Sequence, residues 1–411
     1  MGAFSIPLSG LAASSEWLNV ISNNLANLNT DGYKDEGLNF ADLFNQMQGL
    51  SGNGNPIQVG TGVTVGAEAS NFANGTIAQT GIASNMALQG NGYFVVQGSN
   101  GQMNYTRDGS FSVNTLGQLC TADGQLVMGY PAANGQVSTT SALGAINVNE
   151  ASTIPAQPTT TLSIDANLDS RSATGATFSS PVTVYDSLGD SHQLTVTYTN
   201  TGTNSWSYSV TIPSADVGGT GTSTTVASGS MTFNSSGQLT SPTSPVSLGI
   251  TGLADGAANM NLSWSLTGPN GSSITQQASD SATTATNQNG YGVGTLTGYA
   301  VTSNGTVEGE FSNNQTIALG QVAVASFANQ QGLTQVGNNN YQATSASGAA
   351  VVGQAGIGGN GSIVGGAVEE SNVSLSGEFS NMIIAQQSYD ANAKALTTMD
   401  QVTQATIQMI S

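Results

Sequence analysis

The two ends of this chain are patterned as helices, whereas almost everything between them is patterned as strands and turns. From Phe4 the seam positions step alternately by 3 and 4 residues through Phe4, Pro7, Leu11, Ser14, Leu18, Ile21, Leu25 and Leu28, with Ser14 the one polar member. At the other end, residues 378–411 contain neither Gly nor Pro and carry Phe379, Met382, Tyr389, Leu396, Met399, Val402, Met409 and Ile410 at helical spacing. A repeat averaging about 3.5 residues keeps one apolar seam facing a partner helix. Two such seams can cover each other, and a β-rich middle that completes its own core offers them no surface. Self-assembly through the ends is the expected consequence. The residues placed on that assembly seam are Leu11, Leu18, Ile21, Leu25, Leu28, Phe379, Met382, Tyr389, Leu396 and Met399.

A chain of 411 residues exceeds what one core usually organises, so two or three domains are expected. Charged residues make up only 7% of it, against about 25% in ordinary globular proteins. Lys34, Arg107, Arg171 and Lys394 are its 4 basic side chains against 23 acidic ones, for a formal charge of −19. A nucleic-acid groove needs clustered Lys and Arg, and these are scattered singly. That class is excluded. The lone Cys120 rules out an internal disulfide and reads as a small buried hydrophobe. There is no apolar run long enough for a membrane-spanning helix. The first residues, MGAFSIPLSGLAA, lack a basic region, so no cleaved secretory signal is expected, and Ile6 stands where acylation of Gly2 would want Ser or Thr.

Along the chain, a helix over 8–28 is predicted to stop at Asn29-Thr30-Asp31-Gly32, where glycine can take a positive φ. With the C-terminal pattern this gives a terminal helical assembly domain of 1–30 and 375–411. Residues 31–70 and 366–374 read as an extended, Gly-rich connecting region with one apolar knot at 40–44. Short strands punctuated by Asn91-Gly92, Asn100-Gly101 and Asp108-Gly109 make 71–149 and 285–365 a discontinuous β-domain. Residues 150–180, with Pro155 and Pro158, read as a connector opening an inserted outer β-domain over 150–284. In it a hairpin of 182–185 and 194–198 closes over 186–190, and strands follow at 206–212, 230–233 and 262–266. Its core is expected to rest on Val184, Tyr185, Val196, Tyr198, Trp206, Phe233 and Trp264. The fold class is mainly β with terminal α-helices and nested, discontinuous domains, the insert a sandwich or barrel.

Reactive chemistry is sparse. His192, the single histidine, sits beside the 186–190 turn and reads as a turn or strand-surface residue. One His and one Cys cannot make a four-ligand Cys/His zinc site, and no serine lies in a G-x-S-x-G elbow. Asp186 and Asp190 read as turn residues whose side chains bond the local backbone. Residues 356–361 match G-x-G-x-x-G, but Gly365-Gly366 soon afterwards would not sustain the helix a dinucleotide site needs, so they read as a loop. No catalytic residue, cofactor or metal is expected, and the chain is not read as an enzyme.

The ends carry a family likeness. Ser9-Gly10-Leu11 followed by LNVISNNLANLNTDGYK (18–34) resembles the N-terminal signature of bacterial flagellar rod and hook proteins. GAVEESNVSLSGEFSNMIIAQQSYDANAKAL (366–396) resembles the matching C-terminal signature. In the middle, residues 40–44, VTVYDSLGDSH (182–192), NQNGYGVGTL (287–296) and GQVAVASFANQQGL (320–333) resemble the hook type of this family, whereas TRDGSF (106–111) is shared with distal rod subunits. The resemblance implies a structural subunit that polymerises into a curved, flexible helical tube, with terminal helices inside and β-domains outside, and that transmits torque from rod to filament as a universal joint. It implies as partners further copies of the chain, rod and hook–filament junction proteins, a hook cap and the flagellar type III export apparatus, with an extracellular location in the flagellum and export without a cleaved signal. A distal rod subunit shares the ends but lacks a large insert. A Gly/Thr/Asn-rich adhesin shares the composition but would need a signal peptide and an anchor.

Overall fold

The computed structural model describes residues 4–50, 56–149, 152–268 and 271–410. Gly2, residues 51–55 of the connecting region and the division placed at residue 150 lie outside them. The chain divides into two compact units: Met1–Glu150 with Gly298–Gly309 and Thr316–Ser411, and Ala151–Thr297 with Glu310–Gln315.

In the first unit, helix α1 spans Ser5–Ala26 and helix α2 spans Leu375–Ile410. Pro7 lies in the first turn of α1, where its missing N–H would have had no intrahelical partner. Gly32, at φ +70°, ends the turn after α1, and a Cβ there would lie 2.5 Å from the Asp108 nitrogen. Ser374 caps α2, its hydroxyl accepting from Gly377 N at 3.4 Å. Among the described residues, no helix is long and apolar enough to cross a membrane.

Between the helices, the two halves of the chain are zipped together by antiparallel strands. Tyr93–Gln97 pairs with Met103–Thr106, Leu126–Ala133 and Thr316–Ser326. Further along, Ser362–Gly365 pairs with Met86–Gln89, and Ala367–Glu369 with Ile77–Gln79. Leu319, Val322, Val324 and Ala325 are buried on both faces of one strand, which is why that segment reads as a continuous apolar run. Tyr93, Tyr105, Phe327 and Tyr341 meet edge to face at centroid distances of 4.8–5.8 Å in its core. Cys120 is buried in the short strand Leu119–Cys120. The 356–361 glycines form a turn between Val351–Gln354 and Ser362–Gly365 rather than the start of a helix.

The 31–70 region is more ordered than its glycines imply. Glu36–Asp42 pairs with Val63–Ser70, and Gln46–Leu50 with Pro56–Val59, making an antiparallel ribbon instead of an unpaired extended link. Phe40 stacks edge-on against Trp17 of α1 at 5.8 Å, and Val63 N donates to Ser9 Oγ at 3.2 Å. Phe44, from the same apolar knot, is 98% exposed.

The second unit is a β-sandwich of two five-stranded sheets. One runs Thr177–Tyr185, Ser191–Gly202, Ser205–Pro213, Ser223–Phe233 and Leu239–Ser241 in order. In the other, Thr161–Asp169 is central: it pairs with Met260–Ser265, Ile274–Gln277 and Ala282–Gln288. Strict alternation places Leu162, Ile164, Ala166 and Leu168 in the core and polar residues outside. The connector expected over 150–180 is therefore displaced by a core strand from Thr161 onward; its outward Thr, Ser, Asp and Asn made it look like linker. Val184, Val196, Tyr198, Trp206, Phe233 and Trp264 are buried as expected, whereas Tyr185, of opposite parity to Val184, is only half-buried. The division expected at 284 falls inside Ala282–Gln288, which hydrogen-bonds to Thr161–Asp169; the unit continues to Thr297.

Candidate assembly interface

The helices are held to the β-region by a clasp built from the segments that flank them. Glu369, wholly buried, receives Lys34 Nζ at 2.7 Å and Arg107 Nη1 at 3.3 Å. Its Oε1 also accepts from Gly75 N at 2.8 Å. Lys34 donates a further bond to Ala73 O at 2.8 Å, and Arg107 Nη2 to Gly90 O at 2.7 Å while its guanidinium stands 5.4 Å from the Tyr93 ring centre. Burial lowers the pKa of Lys34, and the Glu369 charge opposes that shift. Two cations, a carboxylate and backbone groups thus satisfy one another away from water, the condition for burying charge at all.

Asparagines finish the clasp. Asn24 of α1 donates to Glu36 O at 2.8 Å and accepts from Glu36 N at 3.0 Å, so its amide pairs with that residue as a neighbouring strand would. Its Nδ2 also reaches Glu378 Oε1 of α2 at 3.4 Å, and Tyr33 donates to its Oδ1 at 3.2 Å. Asn372 accepts from Asp35 N at 2.7 Å and donates to Asn71 O at 2.8 Å. Gly32 N donates to Glu369 O at 2.7 Å. Sequence reasoning saw Lys34 and Arg107 as scattered single cations and missed their meeting. The available signal was that both lie in quoted signature segments of a chain with only 4 basic residues.

α1 and α2 run antiparallel: Asn24 faces Glu378, and Gly10 approaches Asn392 so closely that a Cβ on it would lie 2.7 Å from the Asn392 side chain. The buried face of α1 is Pro7, Gly10, Ala13, Ser14, Val20, Ile21 and Asn24. Of the seam positions, Pro7, Ser14 and Ile21 are buried within the single chain, which withdraws Ile21 from the contact between copies expected of it. At the intervening positions the inward residues are Gly10 and Asn24 in place of Leu11 and Leu25, because small and amide side chains let the backbones approach. Leu11, Leu18, Leu25 and Leu28 are half-buried, as are Met382, Leu396 and Met399, whereas Phe379 and Tyr389 are exposed.

Carried along this register, Ser5 lies opposite residue 397, so the last turns of α2 extend past the start of α1. That stretch exposes Val402 (60%), Ile407 (62%) and Met409 (81%). Nearer the clasp, Ile383 and Ile384 are also exposed. The pair therefore presents apolar surface along its length, with a polar, pinned base.

Four family models match: the flagella basal body rod protein over residues 6–34, the flagellar hook protein FlgE/F/G D1 domain over 87–167, the flagellar basal body protein FlaE D2 domain over 147–291 and the flagellar basal body rod FlgEFG protein C-terminal domain over 364–409. The flagellar hook protein FlgE of Salmonella typhimurium is 36% identical over 421 aligned positions, covering 97% of this chain and 98% of the relative. The chain belongs to the flagellar hook protein family. FlgE of Escherichia coli is 35% identical, with 97% of this chain and 98% of the relative covered; FlgE of Treponema pallidum is 30% identical, with 96% of each covered. The crystal structure of Helicobacter pylori flagellar hook protein FlgE2 shares the fold, with a TM-score of 0.54 at 16% identity, over 70% of this chain and 98% of that one. This family member is a structural subunit of the flagellar hook, an axial protein that polymerises with its own kind. The first and last family matches take in nearly all of α1 and α2 and, from the clasp, Asn24, Gly32, Tyr33, Lys34, Glu369, Asn372 and Glu378.

Proposed function

We propose that the paired helices form the inner wall of the hook tube, with Leu11, Leu18, Leu25, Leu28, Phe379, Met382, Tyr389, Leu396 and Met399 at contacts between copies, while Ile21, buried within the single chain, holds α1 in place instead. The terminal helical pair (1–30 and 375–411) acts as the assembly domain, and the two β-units form outer layers. The tube is curved and flexible, and carries motor torque as a universal joint. A polar, weakly charged outer surface lets neighbouring subunits slide at small cost per contact as the tube bends. The chain leaves the cell through the flagellar type III export apparatus without a cleaved signal, folds outside beneath the hook cap and abuts rod and junction proteins. The observation that carries this reading is the apolar overhang of α2 beyond α1, which an isolated subunit leaves wet.

Electron microscopy of purified protein left to assemble tests it. Curved tubes are expected from the wild-type chain, and Leu396→Asp is expected to abolish them while leaving the monomer folded. Straight rods, or normal tubes from the variant, would sink the reading.

A further inference from the structure

The second unit contains a cluster of one histidine and three aspartates on which the proposed function does not draw. His192 is the second residue of Ser191–Gly202 and shares the inward parity of Leu194, Val196 and Tyr198, so the structure buries it instead of placing it on the surface. Its Nδ1 lies 3.0 Å from Asp216 Oδ2 and its Nε2 3.3 Å from Asp186 Oδ2 and 3.9 Å from Asp255 Oδ2. Asp186 is anchored, because its Oδ1 accepts from the backbone nitrogens of Leu188, Gly189 and Asp190 at 2.7–3.0 Å, leaving Oδ2 for other work. The loops that carry the four residues are stapled together: Ala254 N donates to Asp216 O at 2.9 Å and Ala258 N to Ser187 Oγ at 3.0 Å.

With its Nδ1–H held by Asp216, a neutral imidazole points the Nε2 lone pair at two carboxylates. Protonated, the ring donates to Asp216 through Nδ1 and to Asp186 through Nε2; neutral, its Nε2 lone pair faces acceptors with His192 94% buried, the place where a cation can stand in for the proton. A carboxylate behind one ring nitrogen and open ligand atoms before the other is the arrangement by which proteins orient metal-bound histidines.

We propose that Asp186 Oδ2, His192 Nε2 and Asp255 Oδ2 bind one divalent transition-metal cation, Zn2+ or a close analogue, with Asp216 positioning the imidazole. The three ligand atoms already lie within 4.8 Å of one another. Metal–ligand bonds of about 2.0–2.2 Å put adjacent ligand atoms roughly 3–3.5 Å apart, so the His192–Asp186 edge of 3.3 Å already fits and the 3.9 Å edge must contract. It runs to Asp255, the ligand with 21% of its side chain exposed, on the side from which water can complete the shell. An imidazole ligand disfavours Mg2+ and Ca2+, which take oxygen. The ion would tie the 186–190 turn to the 251–259 loop and offset two of the negative charges gathered there.

The test uses full-length, untagged monomer stripped with a chelator. His192 is the chain's single histidine and Cys120 its single thiol, so spectra assign ligands unambiguously. Co2+ titration is expected to saturate at one ion per chain, with ligand-field bands and no thiolate charge-transfer band. Zn2+ is expected to raise the melting temperature, and equal Ca2+ or Mg2+ to leave it unchanged. Asp255→Asn is expected to abolish saturable binding, and Asp216→Asn to weaken it about 10- to 100-fold. If wild-type protein shows no saturable Co2+ binding, the cluster holds a proton only and the proposal is overturned. Binding that persists undiminished in His192→Gln, or a thiolate band, overturns it equally.

Discussion

Lys34 and Glu369 are 335 positions apart in sequence, yet Lys34 Nζ lies 2.7 Å from Glu369 Oε1 with both side chains fully buried. Each stands a few residues from a terminal helix, so this one ion pair fixes where the N- and C-terminal helices leave the β-region. Arg107 ties this base to the sheet that carries Tyr93.

Glu369→Gln should be strongly destabilising. It leaves two buried cations without their anion, a class of change that costs about 3–5 kcal/mol. Urea unfolding of the monomer, followed by near-ultraviolet circular dichroism, would show a lower midpoint of that size. A loss below about 1 kcal/mol, the range of an exposed pair, would mean that water reaches the site.

Gly32→Ala and Gly81→Ala separate conformational strain from crowding. Both glycines have φ +70°, but a Cβ at Gly81 meets nothing within 4 Å, whereas at Gly32 it meets Asp108 N and the Arg107 carbonyl carbon at 2.5 and 2.6 Å. Gly81→Ala should cost only the left-handed backbone penalty of about 1–2 kcal/mol. Gly32→Ala should cost more and also loosen α1 from the clasp. Equal melting-temperature losses in the two variants would contradict this.

What the sequence disclosed follows from which patterns are local. Helix ends, turns and alternating strands are written in neighbouring residues, so α1, α2, the hairpin over 186–190 and the fold class were legible. The heptad on α1 was legible only to one residue, because Gly10 and Leu11, or Asn24 and Leu25, both satisfy a spacing of 3 or 4; size at the contact decides, and that depends on α2. His192 was misread by its neighbours in the turn although its alternation with Leu194 and Val196 pointed inward. Polar outward positions likewise disguised Thr161–Asp169. The Lys34–Glu369–Arg107 cluster had no local pattern at all.

Glu378 gives the helix join a pH dependence of definite sign. Burial raises its pKa; the Asn24 hydrogen bond opposes this and the Asp35 charge adds to it. An acid whose folded pKa exceeds its unfolded value favours the fold when protonated. Its contribution is therefore fully present below the ordinary glutamate value of about 4.3 and is lost as pH rises through the raised value. Glu378→Gln mimics the protonated form. The variant should be more stable than wild type near neutral pH, and the gap should close as pH falls towards 4. Parallel stability curves for the two proteins from neutral pH down to about 4 would refute the assignment.

The overhang of α2 gives the most direct measure of assembly. Residues 375–397 lie alongside α1, whereas 398–410 extend beyond it, and an isolated helix shorter than about 12–15 residues is marginal in water. In dilute monomer, amide hydrogen exchange should therefore be slow up to about residue 397 and fast beyond it, with protease nicking beginning in the same stretch. In assembled tubes the overhang should become protected, because Val402, Ile407 and Met409 lose their solvent to a neighbouring copy. Val402→Asp should leave the monomer's melting temperature unchanged, since the residue is already exposed, but should suppress polymer yield by burying a charge at the contact. Slow exchange over 398–410 in the dilute monomer would show that the overhang is stable without a neighbour. Normal polymer yield from Val402→Asp would show that the contact between copies lies elsewhere on the helix pair.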